Sequence, residues 1–443
     1  MSCMKNVLFI SYYFPPAGGT SVQRTLKHCK YLPEFGWQPV ILTAREKDYA
    51  LTDLSLMGEV PRSIRTFRAA APDLYRWYGK LSRQTSATLP DLSAIAAREK
   101  ENRSALQGAG LFIRNLLFIP DARMGWLPFA LKTAARLVKS GRIQAVLTTA
   151  PPFTATLTGG LISAAYGLPW ISDYRDPWTQ AYFYFKRPWP SRKVEEAMES
   201  WLLNRADSVV AVNDRILNGL ADKYAWDRSR GTAIPNGFDP DDFSGLKPVK
   251  NSKFTLVYTG TLHTTMNPKA LMVAIMRMSK KDPGFKRSFS FRIFGRVSDD
   301  VLPMLEDAGV SSMVSLKSHV PHHESLRQML SADMLLLLIP DFKGNEMIVT
   351  SKIFEYLRAG QPVLCLSERG NAAEIIRDTR AGITVGGDDA ARIEAVLGSC
   401  FQRWKAGKPL LDRQVLPEKL DQYNRRNTAK KLAELLDRVS HDK

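Results

Sequence analysis

The stretch Ser351–Leu364 combines residue types that can hold a nucleotide. It has the composition of a short helix with one carboxylate, Glu355, followed by a helix-ending Gly360 and a buried strand. Glu355 then lies near a helix N-terminus at the mouth of a parallel sheet, where a ribose and a diphosphate can be bound. The alternative is an amphipathic helix with a solvated Glu355, and this stretch alone does not separate the two.

A second group of charged residues, Asp173, Arg175 and Asp176, follows a strand predicted at 169–173. Carboxylates at the carboxyl end of a parallel strand point into the crevice of an α/β sheet. Asp173 and Asp176 are therefore candidates for orienting or deprotonating a substrate hydroxyl, with Arg175 holding one of them. A structural ion pair between Arg175 and either carboxylate explains the same residues equally well.

A glycine-rich turn, Pro15–Gly19, follows the first predicted strand and precedes a helix. Gly18 and Gly19 allow backbone N–H groups to approach a phosphate or a sugar without a Cβ clash. Arg24, one turn into that helix, is a candidate phosphate ligand. The alternatives are a plain turn and a surface arginine.

Cysteine and histidine spacing argues against a metal or disulfide framework. The four cysteines form no CxxC pair, and the six histidines form no HExxH pattern. No secretory signal is evident, and the longest apolar run, 334–340, is far below the ~18 residues that span a bilayer. We expect a cytoplasmic protein without a metal site, in which any membrane contact is peripheral.

The formal net charge is +18, and residues 62–142 carry 15 Lys and Arg against 5 Asp and Glu. Nucleic acid, an anionic membrane or a phosphate-bearing substrate would each fit this excess, as would a solvated basic surface. Lys132, Arg136 and Lys139 share one helical face, and residues 111–119 are apolar with basic flanks. These features favour peripheral binding to the inner face of the cytoplasmic membrane.

The length of 443 residues suits two domains, and strand-like and helix-like runs alternate in both halves. This pattern predicts an α/β protein with two Rossmann-like domains. The expected domains are 1–245 with a helical insertion at about 73–142, 246–417, and a C-terminal helix at 418–443, which the family resemblance described below implies to cross back to the first domain. The predicted strands are 7–11, 38–43, 145–149, 169–173, 208–212, 232–234, 254–259, 289–294, 313–316, 334–339 and 362–366.

Several motifs resemble those of GT-B fold glycosyltransferases of the family-4-like, retaining group. They are Ser-Lys-Ile-Phe-Glu-Tyr at 351–356, Asp-Tyr-Arg-Asp-Pro-Trp at 173–178, Pro-Asn-Gly-Phe-Asp at 235–239 and Tyr-Thr-Gly at 258–260. The resemblance covers nearly the whole chain. One departure concerns the two glutamates that many members carry with seven residues between them, because Met347 stands at the first of these positions and Glu355 at the second.

The resemblance implies two domains that face each other across a cleft, with the nucleotide-sugar donor on the second. Glu355 would bind the ribose hydroxyls, and Lys352 would place positive charge near the diphosphate. The expected donor-binding residues are Gly18, Gly19, Arg24, Gly260, Lys269, Gly295, Arg296, Ser351, Lys352 and Glu355, and the expected catalytic residues are Asp173, Arg175 and Asp176.

The expected activity is transfer of a sugar from a nucleotide-sugar to a saccharide or lipid-linked acceptor, in bacterial surface polysaccharide or glycolipid biosynthesis. The resemblance implies retention of configuration, no bound metal and no cofactor, because the nucleotide-sugar is a substrate. A nucleotide-sugar epimerase on the same fold is the alternative enzyme, and it would turn over donor without acceptor. A basic nucleic-acid-binding protein and a non-catalytic transferase scaffold also remain open; the former lacks a zinc or helix-turn-helix motif.

Overall fold

The chain folds into two compact units, one formed by residues 1–236 and 425–443 and the other by residues 237–424. The computed structural model describes residues 4–72, 118–181, 184, 187–262, 265–266, 268–299, 301–307, 310–318, 320–340, 344–412 and 415–441. Each unit is built on one parallel sheet with helices, so the expected α/β fold is confirmed.

The first unit has a seven-stranded parallel sheet in the order β3-β2-β1-β4-β5-β6-β7. Its strands are β1 Lys5–Ile10, β2 Trp37–Ala44, β3 Arg65–Ala69, β4 Ala145–Ala150, β5 Trp170–Tyr174, β6 Ser208–Ala211 and β7 Gly231–Ala233. Central strands are continuous apolar runs, because helices cover both faces of a parallel sheet. Phe9 of β1, for example, is paired with Ile41 of β2 on one side and Leu147 of β4 on the other.

Six helices among the described residues belong to this unit. Numbered in chain order, they are α1 Thr20–Tyr31, α2 Leu127–Lys139, α3 Phe153–Tyr166, α4 Trp189–Arg205, α5 Asp214–Tyr224 and α14 Arg425–His441. Helix α3 packs against both α2 and α4, and α14 packs on α1. Leu432 and Leu436 of α14 lie in one buried cluster with Val7, Phe9 and Ile41 of the sheet, so the C-terminal helix completes the core of the first unit.

The second unit has a six-stranded parallel sheet in the order β10-β9-β8-β11-β12-β13. Its strands are β8 Phe254–Thr259, β9 Phe289–Phe294, β10 Val314–Lys317, β11 Met334–Leu338, β12 Val363–Leu366 and β13 Gly382–Thr384. Its helices are α6 Lys269–Lys281, α7 Pro283–Ser288, α8 Leu302–Asp307, α9 His322–Ser331, α10 Lys352–Ala359, α11 Gly370–Asp378, α12 Ala390–Lys405 and α13 Pro417–Leu420. Helix α10 ends where the sequence predicted, because Gly360 adopts the left-handed conformation with φ +74°.

The division of the chain differs from the expected boundaries at both points where the chain passes from one unit to the other. The first unit ends at Asn236 rather than at 245, because Phe238 and Phe243 are buried in the core of the second unit. The Phe238 N–H also donates to the carbonyl oxygen of Tyr423 at 2.9 Å. The final helix likewise begins at Arg425 rather than at 418, since Asn424 is extended.

The helical insertion expected at about 73–142 is described only in part. Residues 73–117, which include most of the apolar run at 111–119, lie outside the described residues. The described part, 118–142, contains helix α2. No helix in the described part of the chain is long and apolar enough to cross a bilayer.

Candidate functional site

The carboxyl edge of the second unit's sheet is shaped by two glycines in close contact. Gly260 follows β8 with φ +103°, and Gly295 follows β9 with φ +138°. A Cβ on Gly295 would lie 2.3 Å from the carbonyl oxygen of Gly260, and a Cβ on Gly260 would lie 3.0 Å from Nζ of Lys352. Glycine is required at both positions, because a side chain would collide with backbone or displace the lysine.

Lys352, the first residue of α10, is directed toward β8. Its Nζ donates to the hydroxyl of Tyr258 at 2.9 Å and lies 4.0 Å from the centre of that ring. Burial lowers the pKa of Lys352 to about 7, while the negative charge of Glu355 acts in the opposite direction. A second negative charge bound here would raise this pKa and hold the ammonium form.

Glu355 lies in the first turn of α10, between the buried residues Phe354 and Tyr356. The Tyr356 hydroxyl accepts a hydrogen bond from the Thr259 N–H at 3.1 Å, which anchors α10 to the end of β8. The Glu355 side chain is 28% exposed, and its Oε1 lies 2.9 Å from Nε2 of His322. A carboxylate, an amine and a helix N-terminus therefore meet at one sheet edge, which suits a ligand with both hydroxyls and phosphates.

Three further predicted donor residues lie in the second unit, two of them beside α10 and β9 and the third on α6. Ser351 immediately precedes α10, and its side chain makes no capping hydrogen bond to the helix. Arg296 follows Gly295, and its carbonyl oxygen accepts from the Leu262 N–H at 2.8 Å, which ties together the loops after β8 and β9. Lys269 is the first residue of α6.

In the first unit, Arg24 and Asp173 form a buried ion pair. Nε and Nη2 of Arg24 each lie 2.8 Å from one oxygen of the Asp173 carboxylate. The remaining guanidinium N–H groups donate to acceptors in residues 234–236, and Thr149 also donates to Asp173. Arg24 is 2% exposed and Asp173 is 3% exposed. Arg24 and Asp173 thus pair with each other inside the first unit, and their roles as a phosphate ligand and a catalytic carboxylate stay predictions.

Arg175 and Asp176 lie in the loop after β5 and remain accessible in part. Arg175 Nη2 contacts Asp176 at 3.3 Å, and the Asp176 side chain is 58% exposed. The Arg175 N–H donates to the Ala150 carbonyl at 2.9 Å, which fixes the start of the loop. Asp176 is therefore the predicted acceptor-side carboxylate that a substrate can reach.

The glycine-rich turn is hydrogen-bonded to another loop of the first unit. The Gly18 N–H donates to the Leu51 carbonyl at 2.9 Å, and the Asp53 N–H donates to the Pro16 carbonyl at 2.7 Å. Gly19, with φ +93°, directly precedes α1. In this structure the Gly18 N–H is thus bonded within the first unit, and its role at a phosphate stays a prediction.

A buried hydrogen-bond network around Glu199 was not predicted. Glu199 of α4 accepts from the hydroxyl of Tyr224 at 2.7 Å and from that of Thr179, and Lys223 donates to the Thr179 hydroxyl at 2.8 Å. Burial raises the pKa of Glu199 to about 6. The signal in the sequence is spacing, because Glu195 and Glu199 lie one turn apart on the helix face that also buries Leu202.

His322 was also missed as a site residue, since the sequence analysis weighed the histidines only for metal spacing. Within the described ranges, no three His, Cys, Asp or Glu side chains are grouped so as to hold a metal ion.

A family model and solved structures resemble this chain. Residues 93–242 match the model for Glycosyltransferase Family 4. Sucrose-phosphate synthase from Thermosynechococcus elongatus has a TM-score of 0.64 at 15% identity, covering 99% of this chain and 100% of that one. Anabaena HepE in complex with UDP-glucose has a TM-score of 0.61 at 12% identity, covering 98% and 99%. UDP-GlcNAc 2-epimerase from Neisseria meningitidis has a TM-score of 0.54 at 14% identity, covering 98% and 100%.

No curated protein matches the sequence. At these identities the structural neighbours define the fold, which is that of the GT-B glycosyltransferases. The family model adds a family-4-like segment in the first unit. The resemblance drawn from the sequence motifs is therefore confirmed for the fold, and the match of residues 93–242 to the family-4 model supports the family-4-like reading.

Proposed function

We propose that this protein is a glycosyltransferase that moves a sugar from a nucleotide-sugar donor to an acceptor hydroxyl. The observation that carries the proposal is the meeting of Glu355, Lys352 and the N-terminus of α10 with Gly260 and Gly295 at one sheet edge. Open parallel sheets bind ligands at this edge. The HepE complex with UDP-glucose supports a donor of this class, since it has the same fold.

Each donor residue has a distinct role in this proposal. Glu355 accepts hydrogen bonds from the ribose hydroxyls. Lys352 and the α10 N-terminus stabilise the diphosphate as its bond to the anomeric carbon breaks and the acceptor oxygen takes its place. The positive charge comes from the protein itself, so the proposed transfer needs neither a metal ion nor a cofactor. We propose retention of configuration, in keeping with the family-4-like motifs.

On the acceptor side, Asp176 is the proposed carboxylate that orients or deprotonates the acceptor hydroxyl, with Arg175 as its ion-pair partner. The stretch from Arg175 to Thr179 is fixed by backbone and side-chain contacts, among them the stacking of Trp178 on Phe153 with ring centroids 4.5 Å apart. A fixed loop with an exposed carboxylate at its start suits a positioning role in catalysis.

The proposed setting is the inner face of the cytoplasmic membrane, with a lipid-linked acceptor for polysaccharide or glycolipid synthesis. Lys132, Arg136 and Lys139 are exposed on one face of α2. On α4, Trp189 and Trp201 are exposed to 64% and 43%. Both helices pack on α3, so basic and aromatic groups occur in one helical layer, a composition that suits an anionic bilayer surface.

An epimerase is the second candidate, because a UDP-GlcNAc 2-epimerase has the same fold. The two activities differ in their need for an acceptor. An epimerase consumes or isomerises UDP-sugar alone, whereas a transferase releases nucleoside diphosphate chiefly when an acceptor is present. Donor turnover measured with and without a membrane lipid extract separates them.

A thermal-unfolding screen with UDP-, GDP- and ADP-sugars tests the donor proposal. A ligand present at about 100 times its dissociation constant stabilises the folded state by about 2.7 kcal/mol. We expect a clear rise in the unfolding temperature with one nucleotide class. No rise with any nucleotide-sugar or nucleoside diphosphate at millimolar concentration would contradict the proposal.

A further inference from the structure

The partner of Glu355 is a histidine from the neighbouring helix. His322 is the first residue of α9, and α9 packs against α10. Its Nε2 lies 2.9 Å from Oε1 of Glu355, within hydrogen-bond distance. The two side chains are 41% and 28% exposed, so a ligand can reach the pair.

Glu355 does not form an ion pair with Lys352, the basic residue in the first turn of its own helix. Lys352 lies three residues earlier, a spacing at which opposite charges commonly pair on a helix. Its ammonium group is instead bonded to the Tyr258 hydroxyl and lies over that ring. The imidazole from α9 therefore supplies the hydrogen bond that orients the Glu355 carboxylate.

The hydrogen bond occupies one carboxylate oxygen and leaves the other to accept from a ligand. A glutamate carboxylate turns about three side-chain torsions, and ordering such a side chain on binding costs conformational entropy. A partner that orders the side chain beforehand removes part of this cost. The lower cost strengthens the binding of the ligand groups that Glu355 contacts. In the proposed function these groups are the ribose hydroxyls.

We propose that His322 is a positioning residue that presets Glu355 for the ribose hydroxyls and thereby sets the preference for ribonucleotide over 2′-deoxyribonucleotide donors. This inference rests on the proposed function, because it assigns a partner to the ribose-binding carboxylate. His322 acts through Glu355 and needs no contact with the sugar that is transferred.

The test is the affinity ratio between ribo- and 2′-deoxyribonucleoside diphosphates, measured by calorimetry with UDP, GDP and their 2′-deoxy forms at one pH. Wild-type protein should prefer the ribo form by about tenfold or more, as expected for a hydrogen bond to a charged group. His322→Phe should lower this ratio by about three- to tenfold. His322→Gln should restore most of it, because the Gln amide keeps an N–H donor at a similar reach.

Two controls isolate the positioning role. His323→Phe changes the adjacent exposed histidine of the same helix and should leave the ratio unchanged. In a Glu355→Ala background, His322→Phe should have no further effect on the ratio, because the side chain that it orients is gone. A general loss of folding would lower both affinities together and leave their ratio intact.

An unchanged ratio in His322→Phe overturns the inference while leaving the proposed donor site standing. An equal fall in His323→Phe also overturns it, since the effect would then belong to the helix rather than to the contact with Glu355. Failure of the wild-type protein to bind these four nucleotides and every nucleotide-sugar of the thermal-unfolding screen, ADP-sugars included, would overturn the proposed function itself, and the inference with it.

Discussion

Asp173 and Asp176 lie three residues apart and have opposite environments. Asp173 is buried and bonded to Arg24 through both oxygens, whereas the Asp176 side chain is 58% exposed. The sequence predicted both carboxylates at the end of β5. It could not show that Asp173 is the buried one, because its partner Arg24 is 149 positions away in the chain. A buried ion pair of this kind depends on long-range packing, which local patterns do not contain.

Because of these environments, we expect the same substitution to lower the free energy of unfolding by different amounts at the two positions. Asp173→Asn leaves the Arg24 guanidinium buried without its counter-charge and should destabilise the first unit by about 3–5 kcal/mol. Asp176→Asn removes a solvent-exposed pair and should cost less than about 1 kcal/mol. Urea unfolding of the two variants measures the difference. Equal costs for both would contradict the structural assignment of Asp173.

The function of Asp176 is tested by the same variant in a turnover assay. Asp176→Asn should reduce nucleoside diphosphate release in the presence of a lipid acceptor extract by roughly 10²–10⁴-fold, the usual contribution of general acid–base catalysis. Donor affinity by calorimetry should stay near the wild-type value, because Asp176 lies in the unit that does not contain Glu355. Wild-type turnover in this variant would remove Asp176 from the catalytic proposal.

Because Glu199 is buried, we expect the free energy of unfolding to depend on pH. Burial raises the pKa of Glu199 in the folded state to about 6, above its ordinary value of 4.5. The folded state therefore binds more protons between these values, and this group's contribution to stability falls as the pH rises from about 4.5 to 6. The full change is about 2 kcal/mol. Glu199→Gln should remove it, which urea unfolding at pH 4.5, 5.5 and 7 would detect as a variant-minus-wild-type difference that grows with pH.

At the scale of elements, the buried strands were predictable, whereas two of the four sheet-edge strands, β3 and β13, were not. Central strands such as β11 are runs of apolar residues, a pattern that identifies them without neighbours. In contrast, β3 begins with the exposed Arg65, and β13 has only three half-buried residues. Such strands form through pairing with β2 and β12, and their composition carries little signal.

Helix α10 shows which features of the candidate site can be predicted from the sequence and which cannot. The position of Glu355 and the helix end at Gly360 follow from composition and from glycine's tolerance of positive φ. The contacts of Lys352 with Tyr258 and of Glu355 with His322 join residues 94 and 33 positions apart. These contacts form only in the tertiary structure, which brings the residues together. They fix the orientation of each charged side chain.

Membrane binding is predicted at the level of helix α2. Wild-type protein should float with anionic vesicles at low salt and ignore neutral ones, since each basic residue near an anionic surface contributes about 1 kcal/mol. The triple change of Lys132, Arg136 and Lys139 to Glu should abolish flotation. The matched control changes Lys430, Lys431 and Arg438, exposed on α14 of the same unit, to Glu.

Equal loss of flotation in the triple variant and the control would assign the effect to net charge rather than to the α2 face. If wild-type protein does not bind anionic vesicles at all, a soluble acceptor replaces the lipid-linked one in the proposed function.

At the scale of the whole molecule, the chain crosses twice between its two units. The first crossing follows Asn236, and the return precedes Arg425, so α14 completes the core in which the chain began. The leucine spacing predicted the final helix and the family resemblance implied its packing on the first domain, but neither predicted the break at residues 421–424. The Glu355 and Lys352 cluster lies wholly within the second unit.

The central claim is that Glu355 binds the nucleotide of the donor, and calorimetry of nucleoside diphosphate binding tests it most directly. Glu355→Gln should weaken binding of the preferred nucleoside diphosphate by roughly 1.5–3 kcal/mol, the worth of a hydrogen bond to a charged group. Glu418→Gln, at an exposed glutamate of the same unit, should bind as wild type does. Unchanged nucleotide affinity in Glu355→Gln, with intact binding by wild-type protein, would contradict the account.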